Sequence, residues 1–189
     1  MRIGSIAVAF LALTAACRTE RARPADTVAA ATNPPAVTTD PPKPDGYIID
    51  AKGIGPVKLG MALGEVRNSL PSARIERTSD GEGVALVEIT IEPGSSVIAY
   101  AGEDNPEAGI DWTKSISMLE TFSERFHTTE GVHPASTIPE AEKAYGKTRS
   151  RETSEIESRE YITFEKQPSG LTFRISPDGT VLSISISSR

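Results

Sequence analysis

Cysteine is nearly absent: the only one, Cys17, leaves the chain no internal disulfide and no multi-thiolate metal site. Two histidines, His127 and His133, are the whole supply of side chains that titrate near neutrality. There is no Gly-x-Ser-x-Gly elbow and no glycine loop that cradles phosphate ahead of a helix. With no such constellation, no catalytic residue and no cofactor are expected. Basic residues are outnumbered, 20 against 26 acidic, giving a net charge of −6, and acidic residues interrupt every basic cluster. Phosphate recognition needs a concentrated basic face, so nucleic acid is not expected as a partner. What remains is 189 residues, 38% hydrophobic with charges well mixed, enough for one ordinary globular domain once any targeting segment is subtracted.

The amino terminus carries the most specific signal. Met1-Arg2 is a short positive region, Ile3 to Thr14 an apolar run too short to span a bilayer, and Ala15-Ala16 place small side chains before Cys17. "LTAAC", residues 13–17, resembles the lipobox of bacterial lipoproteins, although the position three before the cysteine holds Thr14 rather than leucine. The resemblance implies a signal peptide over residues 1–16, cleavage before Cys17, and a lipid on that cysteine as the membrane anchor. In a Gram-negative envelope, Arg18 in place of aspartate implies an outer-membrane position facing the periplasm. An ordinary secretory signal cut nearby is the alternative.

Residues 17–45 are rich in Pro, Ala and Thr and end in "NPPAVTTDPPKPD". Such a stretch cannot bury enough apolar surface to offset its ordering entropy, and closely spaced prolines favour extended geometry. It reads as a tether; at about 3.1 Å per extended residue it reaches tens of ångströms.

The remainder contains an apparent duplication. "GIGPVKLGMALGEVRNSLP" (53–71) aligns with "EGVHPASTIPEAEKAYGK" (130–147), and each predicts a short helix, near 62–70 and 138–145, with apolar residues at i, i+3 and i+7. Thr137 and Glu140 fit a capping box, whereas Ala62 stands at the matching first position and predicts a weaker start by about 1 kcal/mol. Alternating segments follow each helix: 84–100 and 112–122 in the first copy, 159–176 and 179–189 in the second. The expected fold class is α+β, two tandem helix-plus-antiparallel-sheet repeats over residues 46–125 and 126–189.

Gly60, Met61, Glu65 and Val66, followed by an antiparallel sheet, make a pattern similar to the unit shared by β-lactamase-inhibitor proteins and the small lipoproteins of outer-membrane β-barrel assembly. "TTEGVHP" and "SEIESREYITF" also resemble segments of uncharacterised bacterial lipoproteins. The resemblance implies a binding module. Departures limit it: the folded part has no cysteine, and aromatics are only 5% of the chain. Because tight interfaces draw on Trp, Tyr and Arg, β-lactamase inhibition is not expected.

Four residues are candidates for partner contact: Trp112, and Glu157, Arg159 and Tyr161 of the charged segment 154–164, which also suits an edge strand protected against aggregation. His127 and His133, with Glu124 and Glu130 nearby, are the candidate metal ligands, though their separation of six matches neither a helical site nor a zinc finger. "AGEDNPEAGID" (101–111) could ligate calcium but lacks the Asp-x-Asp-x-Asp-Gly order, which favours a solvated turn. The expected function is a non-catalytic, lipid-anchored envelope protein that binds another envelope protein. The alternative is a small-ligand or metal-sensing domain at the junction of the two copies.

Overall fold

The computed structural model describes residues 47–79, 85–103, 108–154 and 159–188, all within one unit, Pro41–Arg189. The signal peptide, Cys17, the tether and Glu157 lie outside the described residues, as do residues 104–107 of the acidic loop.

Twelve strands and two short helices follow in the order β1 (Tyr47–Asp50), β2 (Gly53–Ile54), β3 (Val57–Lys58), α1 (Leu63–Ser69), β4 (Arg74–Ser79), β5 (Ala85–Glu92), β6 (Ser95–Glu103), β7 (Met118–Thr121), β8 (Phe126–Thr128), α2 (Ile138–Tyr145), β9 (Thr148–Thr153), β10 (Glu160–Phe164), β11 (Leu171–Ile175) and β12 (Val181–Ser187). Eight strands form one sheet in the order β4-β5-β6-β7-β12-β11-β10-β9, antiparallel throughout. A smaller sheet runs β3-β2-β1-β8, with β1 and β8 parallel.

This corrects the expected fold class. The chain is mostly β, with helices of only seven and eight residues, rather than an α+β pair of helix-plus-sheet repeats. The sheet hydrogen bonds do not stop at a repeat boundary. β7 pairs with β12, Leu119 opposite Ile186 and Thr121 opposite Ile184, so strands from both halves of the folded chain share one sheet. A strand edge left between two units would expose unpaired amides, and this seam removes it.

One face of the large sheet carries the core. Val87, Ile89, Val97, Leu119, Ile184 and Phe173 are buried there, under Leu63 and Val66 of α1 and Ala141 and Tyr145 of α2. Ile49, Ile54 and Val57 of the small sheet complete the same cluster. The apolar stripe of each helix therefore points inward, and burying each large side chain contributes about 1.5–3 kcal/mol. Tyr145 packs its ring 5.5 Å from Phe173 and 6.4 Å from Phe164, which ties α2 to β10 and β11.

The starts of the two helices differ as their sequences do. Thr137 Oγ1 accepts from the Glu140 amide at 3.4 Å, and the Glu140 carboxylate accepts from the Thr137 amide at 2.7 Å. Ala62 offers no side-chain oxygen, and only the Glu65 carboxylate returns to its amide, at 2.9 Å. Tertiary contacts supply what the missing cap does not: the amides of Leu63 and Gly64 donate to the carbonyls of Lys114 and Trp112 at 2.9 and 2.8 Å.

Candidate functional site on the open sheet face

The face of the large sheet opposite the core bears the side chains that alternate with the buried ones. Glu88, Ile98, Glu120 and Ser185 stand across from one another on β5, β6, β7 and β12. Tyr161, Arg174 and Ser183 do the same on β10, β11 and β12. Thr78 of β4 and Arg159, at the start of β10, line one cavity of about 230 Å³, although five strands separate β4 from β10 in the sheet order. The face is therefore concave, curling the two ends of the sheet toward each other, as accumulated strand twist does in large antiparallel sheets.

Leu86, Ile98 and Phe122 give the cavity an apolar wall, and Tyr100, Glu120 and Arg174 supply its polar groups. Phe122, just past β7, is 46% exposed, and Leu182 on β12 is 36% exposed; they are the large hydrophobic side chains in solvent among the described residues. The Glu120 carboxylate accepts from the Tyr100 hydroxyl at 3.2 Å and from the Ser183 hydroxyl at 2.5 Å. Arg174 is half-buried, and its Nε is enclosed without an acceptor. A buried donor left unsatisfied costs about 1–3 kcal/mol, so this arginine is held in place at some expense.

The residues singled out from sequence fall in different places. Arg159 lines the cavity, and Tyr161 sits on the same face directly across from Arg174. Trp112 does not join them. Its ring lies under the Arg67 guanidinium, 4.3 Å from the centroid, and its carbonyl receives the Gly64 amide, so it serves the seating of α1. Arg174, Glu120 and Phe122 were missed, because they sit in runs that read only as alternating strand; their convergence depends on strand order.

The histidines are also apart from this face. His127 lies on β8 with its ring buried and Nδ1 3.2 Å from the Thr128 carbonyl oxygen. His133 is half-buried with Nδ1 2.6 Å from the Pro134 carbonyl oxygen. Among the described residues no three His, Cys, Asp or Glu side chains stand close enough to hold a metal ion. Glu130 instead accepts from the Tyr145 hydroxyl at 2.5 Å beside a cavity of about 110 Å³ lined by Ile49, Pro168 and Leu171. Burial works against ionisation of Glu130, but hydrogen bonds from Tyr145, Thr129 and Thr128 outweigh it and hold the carboxyl below its ordinary value. Burial, and then the bond to Glu130, push the Tyr145 phenol up. In the acidic loop, Asp111 Oδ1 accepts from the Thr113 amide and hydroxyl at 3.0 and 2.7 Å, a local turn that occupies this carboxylate.

Among the described residues no helix is long and apolar enough to cross a membrane. No protein-family model matches the chain, and no curated protein matches it. Its fold is similar to the crystal structure of the uncharacterized protein yfeY from Escherichia coli, with a TM-score of 0.50 and 14% identity over 75% of this chain and 100% of that one.

Proposed function

We propose that this chain is a non-catalytic, lipid-anchored envelope protein that docks another envelope protein on the concave face of its large sheet. The observation that carries this reading is the pairing, on one open face, of an exposed aromatic, Phe122, with a half-buried arginine that has no acceptor at Nε. Aromatic and arginine anchors in a concave surface are the usual energetic centre of a protein interface. The cavity volume of about 230 Å³ lies below the roughly 300–1,000 Å³ typical of small-molecule sites, which favours insertion of a partner's side chain over a free ligand. The lipobox-like "LTAAC" supports a lipid anchor at Cys17 and work outside the cytoplasm. The small-ligand or metal-sensing alternative gains nothing from His127 and His133, which bond to neighbouring backbone carbonyls.

A photocrosslinking side chain placed at position 122 in the full chain, in intact cells, is expected to give a discrete protein adduct, while the same group at exposed position 143 on α2 gives none. Absence of an adduct at 122, or an identical one from both positions, overturns the docking surface. Mass analysis of the mature amino terminus tests the anchor: a lipidated Cys17 is expected, and a Cys17→Ser chain that still fractionates firmly with membranes refutes it.

A further inference from the structure

The hydrogen-bonding capacity on the concave face is unevenly spent, and this assigns the chemistry of the partner. Glu120 is already satisfied by the Tyr100 and Ser183 hydroxyls. Arg174 faces the same cavity two strands away, on β11, with the Nε of its side chain enclosed and unmatched. Arg159, which does have an interaction partner, adds a second guanidinium to the lining. The lining thus carries two guanidiniums and one carboxylate in a chain of net charge −6, and Arg174 is the guanidinium with an unmatched donor. The unmet demand is therefore for an acceptor with negative charge. The adjoining wall of Leu86, Ile98 and exposed Phe122 demands an apolar group beside it.

We infer that the concave face recognises an extended segment of its partner in which an acidic side chain, received by Arg174, adjoins an apolar side chain laid against Phe122, Leu86 and Ile98. The inference rests on that face being the docking surface. A planar guanidinium with unspent donors suits a carboxylate, which it receives through two parallel bonds, and desolvation within the cavity strengthens the pair. The volume of about 230 Å³ admits one or two side chains, which suits a short anchor rather than a whole helix. A cationic segment is disfavoured because the Arg159 and Arg174 guanidiniums that line the cavity repel it.

The test uses the full chain in detergent micelles and three short probe peptides that differ at one position: Phe-Glu, Phe-Gln and Phe-Lys, each flanked by glycines. The Nε–H resonance of Arg174, assigned by its loss in Arg174→Lys, reports occupancy by NMR. Phe-Glu is expected to shift it, with Phe-Gln at least about tenfold weaker and Phe-Lys silent, the size of effect a charge-assisted bond produces. Arg174→Met, with a melting temperature no lower than that of the parent chain, is expected to lose at least about tenfold in Phe-Glu affinity. No shift with Phe-Glu at millimolar concentration, or equal shifts from Phe-Gln or Phe-Lys, overturns the inference on the unmodified protein alone, whatever the variants do. Crosslinking at position 122 separates the two levels. An adduct that persists undiminished in Arg174→Met sinks the acidic-anchor inference and leaves the docking surface standing. Loss of the adduct in the otherwise unmodified chain sinks the docking surface itself.

Discussion

At the scale of single residues, Gly64 shows how little room the fold leaves. Its amide donates to the Trp112 carbonyl at 2.8 Å, and a Cβ built on it would lie 3.0 Å from that oxygen. Gly64→Ala should gain about 1 kcal/mol of helix propensity. It should lose about 1–3 kcal/mol to the crowded contact, with backbone on the other side unable to give way cheaply. A net loss of stability near 1 kcal/mol is expected in urea melts; a more stable variant would mean that the Trp112 carbonyl moves freely. Trp112 itself was legible as a special residue, since it is the only tryptophan, but its role was not. A solitary aromatic in a polar run can anchor a partner or a helix, and only its stacking against Arg67 decides between the two.

At the scale of elements, the contrast between the helix starts is testable. Thr137→Ala should cost about 1 kcal/mol, the usual worth of an N-cap. Ala62→Ser should change stability by less than half of that, because the Lys114 and Trp112 carbonyls already take the first two amides of α1. The Thr137 amide, and then its hydroxyl, hold the Glu140 carboxyl below its ordinary value of 4.5. A depressed folded-state value gives stability that is present above the ordinary value and is lost as pH falls through the lower one. Glu140→Gln should therefore flatten the acid limb of the stability curve, as followed by circular dichroism between pH 5 and pH 2; an unchanged limb would show that the box does not carry charge-linked stability. The helices and the strands from 85 to 100 and from 160 to 187 could be read because hydrophobic periodicity marks a face that must be buried, whereas the last three residues of β6 read as part of the acidic loop. The edge strands β4, "RIERTS", and β9, "TRSRET", escaped because their exposed residues are charged or hydroxylated and carry no apolar alternation. The segment 112–122 was expected to be strand throughout; only Met118–Thr121 is, and the residues before it turn aside to receive α1. β8 was hidden in an apparent connector, since three residues are too few to show a period.

At the scale of the whole molecule, the β7–β12 seam governs cooperativity. Leu119 and Ile186 are opposite each other across it and almost fully buried. Leu119→Ala should cost about 2–5 kcal/mol. Its unfolding should remain one transition, with Trp112 fluorescence and far-ultraviolet circular dichroism coincident, because both ends of the ladder share this pair of strands. Two separated transitions would show that the segments on either side of the seam fold independently.

The amino-acid sequence by itself determined the short helices, the alternation of the central strands and the lipobox-like start, because each is a local pattern whose physical cause lies within a few residues. Its acidic excess offers no concentrated basic face, and neither a Gly-x-Ser-x-Gly elbow nor a phosphate-cradling glycine loop stands in it. Only the tertiary structure decided that both halves of the chain enter one curled sheet, and with it that Arg174, Phe122 and Glu120, up to 54 positions apart, meet on one concave face. Strand order is set by non-local pairing, where a backbone amide donates to any carbonyl that the packing presents. No local pattern records that choice.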